Sequence, residues 1–179
     1  MANIYMFIIM LILFWLQLLF ANLALHLPLC IAGIFYITIA YSWKKAIFWA
    51  ILCGICIDFL YQRELFISTS AFLTTVIFAE YWLRKNDMNN LKNSFLPGAV
   101  IALLSVLPIW IYKLFFYHAN ILYVIKDMLA VTIFSLIFGI FFLPLLVVLL
   151  DAIATRLNLT LYTKSNKRLF KRRTKITKN

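Results

Sequence analysis

Asp58 stands inside an apolar run, Ala50-Ile51-Leu52-Cys53-Gly54-Ile55-Cys56-Ile57-Asp58-Phe59-Leu60. An acid in such surroundings has two roles open to it. It binds or couples a charged species, or it caps a helix. Gly54 comes four residues earlier, on the same helix face. Ser68, Thr69 and Ser70 follow a short polar turn. A helix hairpin at that turn brings them back to about the depth of Asp58. The carboxylate then meets their hydroxyls, or the free amides that start the next helix. Both roles remain open on this pattern.

Other candidates point to structure more than to chemistry. Glu80 and Arg84 have the i, i+4 spacing of a helix ion pair. Asp151 and Arg156 stand near the end of a long apolar run, and Lys113 snorkels from another. Lys126 and Asp127 are adjacent and do not face each other; Asp127 suits a first helical turn. Cys53 and Cys56 form a CxxC, but no neighbouring base favours a thiolate, so small residues for helix packing is the plainer reading. Cys30 makes the cysteine count odd, against a disulfide framework. His26 and His118 are the only histidines, and neither joins a metal-ligand spacing. Four glycines in the whole chain leave no phosphate-binding loop. Ser68 to Thr75 is a polar stretch within an apolar segment, suited to an inter-helix contact or a cavity wall.

The elements that must hold these residues are set by composition. Of 179 residues, 65% are hydrophobic and only 13% charged, the latter about half the soluble share. That leaves too little polar surface for an ordinary soluble domain and too much apolar content for disorder. Six apolar runs follow, at 4–25, 27–42, 46–61, 66–83, 96–117 and 124–154. A run of about 20 apolar residues crosses a bilayer as a helix. The expected fold is all-α: a polytopic integral membrane protein with about six transmembrane helices. The second run is the shortest, so five crossings with one reentrant segment is the competing topology. The sixth is longer than a crossing needs and should tilt or emerge, and Pro144 should bend it.

Basic residues orient the spans. With both termini cytoplasmic, the inner side holds Lys44, Lys45, Arg84, Lys85, Lys92 and nine more from Arg156 onward. The outer side holds only Arg63, Lys113 and Lys126. The bias predicts an N-in, C-in arrangement. The first run has no basic segment before it and is expected to stay as a span. Residues 1–157 form the helical membrane domain and 158–179 a basic cytoplasmic tail. Net charge is +11, and the tail carries most of it. Lys164, Lys167, Arg168, Lys171, Arg172 and Arg173 suit anionic lipid headgroups or an acidic partner. Nothing structured there reads nucleic acid.

The segment from Ala50 to Leu60, with Gly54 and Asp58, and then Ser68-Thr69-Ser70-Ala71-Phe72, resembles the rod shape-determining protein MreD family. Chain length, span count, an early proline at Pro28 and a basic C-terminal end are similar too. The turn departs from the family pattern, with Arg63-Glu64-Leu65-Phe66 where a Pro-Leu-Gly-like element is common. The resemblance implies a non-enzymatic scaffold in the bacterial inner membrane, without cofactor or metal. It implies an MreC-like partner, with links to the MreB filament and to a RodA-type glycan polymerase with its transpeptidase. Its role would be to maintain rod shape by organising lateral peptidoglycan synthesis. The alternative is the substrate-binding subunit of an energy-coupling-factor vitamin transporter, which is similar in fold. Such subunits couple through small-xxx-small patterns in the first span. Here Ala46 and Ala50 have that spacing, but in the third.

Overall fold

Among the described residues, a computed structural model shows six α-helices and no strand. The structure describes residues 2–22, 27–62, 66–85, 95–116 and 121–159. The helices are α1 (Ala2–Asn22), α2 (Leu29–Ala40), α3 (Trp43–Leu60), α4 (Ile67–Lys85), α5 (Phe95–Phe116) and α6 (Ile121–Arg156). They coincide with the six apolar runs, because each run ends where polar or helix-breaking residues begin. Among the described residues, two helices are long and apolar enough to cross a membrane: α1, and α6 over Met128–Arg156. Leu29–Ala40 and Phe95–Pro108 are shorter apolar helices. α6 continues through Pro144. It ends in a left-handed Asn158 (φ 53°). There the Leu159 amide donates to Ala154 O and the Asn158 amide to Thr155 O, the pattern of a Schellman stop.

α2 is the centre of the bundle. All twelve of its residues are buried. It packs against α1, α3, α4 and α5, and Tyr36 ties it to α6. The other five helices carry exposed large apolar side chains, such as Trp15, Phe59, Ile77, Leu107 and Phe141. So much exposed apolar surface marks contact with something other than water. At about 18 Å, α2 is shorter than a bilayer core of about 30 Å. It is a short enclosed helix where the sequence suggested either a sixth crossing or a reentrant segment.

Side-chain contacts set the helix directions. The rings of Tyr5 and Tyr41 lie 6.3 Å apart, and Gln17 meets Cys30, so α1 and α2 are antiparallel. Lys45 donates to Asn3 at 2.7 Å, and Phe7 meets Trp49, so α3 runs parallel to α1. Tyr5 donates to Leu150 O at 2.7 Å, which brings the end of α6 to the start of α1. Lys44, Lys45, Arg84 and Arg156 therefore share one end of the bundle. The tip of the α5–α6 hairpin has its own small core, Val106 and Met128 with Trp110 and Val131 packed on it.

Candidate functional site

At the far end of the bundle two helices begin inside the fold, and each borrows its cap from another helix. α4 follows Phe66, which has no side-chain acceptor and stands at φ 76°. The acceptor comes from Asp58 on α3 instead. Its two carboxylate oxygens lie 3.0 and 3.1 Å from the Ser68 amide. Asp58 is fully buried and Ser68 is 2% exposed. A free helical N–H and a carboxylate are well matched, since the helix N-terminus carries partial positive charge. Of the donors the sequence offered, the amide is the one used. The Ser68 and Thr69 hydroxyls are buried with no hydrogen-bond partner among the described residues. Ser70 turns outward, its hydroxyl donating to Ile67 O at 2.7 Å.

Gly54 explains how α4 comes so close. A Cβ there would stand 2.5 Å from Thr69 Oγ1 and 2.6 Å from Thr69 Cα. Only glycine leaves the backbone of α4 room at this crossing. Gly54, Asp58, Ser68 and Thr69 thus form one contact, with Ser70 at its edge.

The second borrowed cap was not legible as a motif. Pro28 precedes α2 and provides no side-chain hydrogen bond. Gln17 on α1 fills the gap, its Oε1 accepting from the Cys30 amide at 2.8 Å. Gln17 is 14 residues from Asn3, and Asp58 is 13 from Lys45. With Asn3 and Lys45 in contact, both caps sit at the same depth, about 20 Å from that end.

The opposite end holds a buried clasp. Tyr36 donates to Asp151 Oδ1 at 2.8 Å, and the Thr155 hydroxyl donates to Asp151 O at 2.7 Å. Tyr5 adds its bond to Leu150 O. α1, α2 and α6 are locked together by three side chains. The sequence pattern does not single out Tyr5 or Tyr36, because their partners are more than a hundred positions away. Glu80 and Arg84 form an ion pair at 3.2 Å, an exposed pair of small energetic weight. Between α5 and α6, Trp110 Nε1 donates to Thr132 Oγ1 at 3.0 Å, and Ser105 meets Ser135 at 3.3 Å.

Cys30, Cys53 and Cys56 are free thiols, the first two buried. Among the described residues, no three His, Cys, Asp or Glu side chains gather to hold a metal. His26, His118, Arg63, Glu64 and the basic tail with Lys164, Lys167, Arg168, Lys171, Arg172 and Arg173 lie outside the described residues. No family model, curated protein or solved structure matches this chain.

Proposed function

We propose that this chain is a multi-pass membrane scaffold of the MreD type, with both ends cytoplasmic. The observation that carries the reading is the use of its buried acids. Asp58 holds α3 to α4, and Asp151 holds α2 to α6. Intramembrane carboxylates are costly unless they act. Here their action is to fix helix positions, which suits a protein whose product is a shape that others bind. The exposed apolar belt supports a place in lipid. The gathering of Lys44, Lys45, Arg84 and Arg156 at one end supports a cytoplasmic inner face. Gly54 and Asp58 are the residues that carry the resemblance to MreD, and both lie in the α3–α4 contact.

On this reading the outer helix faces pack on an MreC-like membrane partner, and the tail lies near a cytoplasmic filament. The machine served would be the one that extends the lateral wall of rod-shaped bacteria. The test is recovery of the tagged full chain from native membranes in mild detergent, with bound proteins identified by mass spectrometry. An MreC-type protein and a glycan polymerase should co-purify. Paired ATPase subunits in their place would overturn the scaffold and make the chain a transporter subunit.

A further inference from the structure

We propose that the groove along the C-terminal half of α6 binds one anionic phospholipid, with an acyl chain on its apolar wall and the phosphate at Arg156. This rests on the membrane reading above. The groove arises because α5 and α6 pair only in part. Gly98 and Gly139 bring the two helices together near the start of α5. Beyond that crossing α6 runs on past the start of α5 for more than four turns, held on its other side by α1 and α2. Leu143, Leu146, Val147, Leu150 and Ala154 remain in the main core. The opposite face, including Phe141, Leu145 and Leu149, is left open, with Phe95 closing its upper end. Phe141 is 68% exposed and Leu145 64%.

The lining has two chemical parts. Among the described residues, every wall residue from Phe95 to Ile153 is apolar, and Arg156 is the single charged member, at the lower end. From Phe141 to Ile153 the helix rises about 18 Å. One leaflet of a bilayer core of about 30 Å is close to that depth. Arg156 also lies at the end that gathers Lys44, Lys45 and Arg84, where the positive-inside bias places the anionic leaflet. A guanidinium pairs two oxygens of a phosphate in one plane. An apolar wall of one-leaflet depth ending in one such group matches a lipid with an anionic head.

The experiment uses the full chain in mild detergent, incubated with mixed phosphatidylglycerol and phosphatidylcholine vesicles. Retained lipid is counted by native mass spectrometry. Wild type should keep phosphatidylglycerol in preference to phosphatidylcholine. Arg156→Gln should lower that retention about fivefold, the weight of one basic residue at an anionic surface. Arg156→Lys should restore part of it. Ala152→Phe, which fills the groove from an exposed position, should reduce retention of both lipids. Equal retention in wild type, Arg156→Gln and Ala152→Phe would overturn the site. So would loss of lipid only on deletion from Lys164 onward, which would assign binding to the tail. A protein that co-elutes and is displaced by Ala152→Phe would make the groove a helix-docking face instead. Carbonate-washed membranes separate the two failures: a chain absent from them overturns the membrane reading itself, and the lipid site with it.

Discussion

Asp58 and Tyr36 make the residue-scale case. Asp58→Ala strands the Ser68 amide in a buried place and removes the cap of α4. The expected loss is about 1–2 kcal/mol. Asp58→Asn keeps an acceptor oxygen and should lose less. Thermal unfolding of the purified protein in detergent checks both, and equal stability of Asp58→Ala and wild type would remove the cap. Tyr36→Phe takes the phenol donor from a buried carboxylate, with an expected cost of about 1–3 kcal/mol. Asp151→Asn should be milder, since its amide oxygen still accepts from Tyr36. The same melting curves decide it. Asp58 was legible in the sequence because an acid inside an apolar run stands out. Tyr36, Tyr5 and Gln17 were not, because an aromatic or a lone amide within an apolar helix fits many surroundings. Only a partner fixes the role, and their partners are distant in the chain or hidden in a backbone.

Two glycine contacts govern the elements. An added Cβ at Gly139 would stand 2.7 Å from Gly98 O and 2.6 Å from Ala102 Cβ. Gly139→Leu must therefore push α5 from α6, at about 1–3 kcal/mol or more. The hairpin should loosen first at its Ser105–Ser135 and Trp110–Thr132 bonds. A rise in hydrogen exchange along α5, with α1 to α3 unchanged, is the expected signature. Gly54→Leu should act likewise on α3 and α4. Element boundaries were legible to within a few residues, since an apolar run ends at a change of polarity. The burial of α2 was not. Its twelve residues have the composition of a lipid-facing helix, and composition does not distinguish lipid from apolar protein as a neighbour.

Orientation is a property of the whole molecule. On the proposed membrane reading, single cysteines at Lys45, Arg84 and Arg156 should label from the cytoplasmic side, and one at Lys126 from the other. Labelling of Lys45 and Arg84 from opposite sides would break the span map. The exposed apolar belt also implies that copies of the chain associate through it in water. Transfer from mild detergent to detergent-free buffer should produce aggregates by light scattering, whereas a chain that stays monodisperse would not be a membrane protein.

Residue types and their order determined by themselves that this chain is helical, how many apolar segments it has, and which segment ends share positive charge. Those are local or additive properties, set by hydropathy and charge along the chain. Tertiary structure alone decided that Asp58 takes the Ser68 amide, that Gln17 caps α2, that Tyr36 holds Asp151, and that α2 is enclosed. Each depends on two segments meeting at a given depth and angle. That meeting is fixed by close packing at positions such as Gly54 and Gly139, where a single added carbon would not fit.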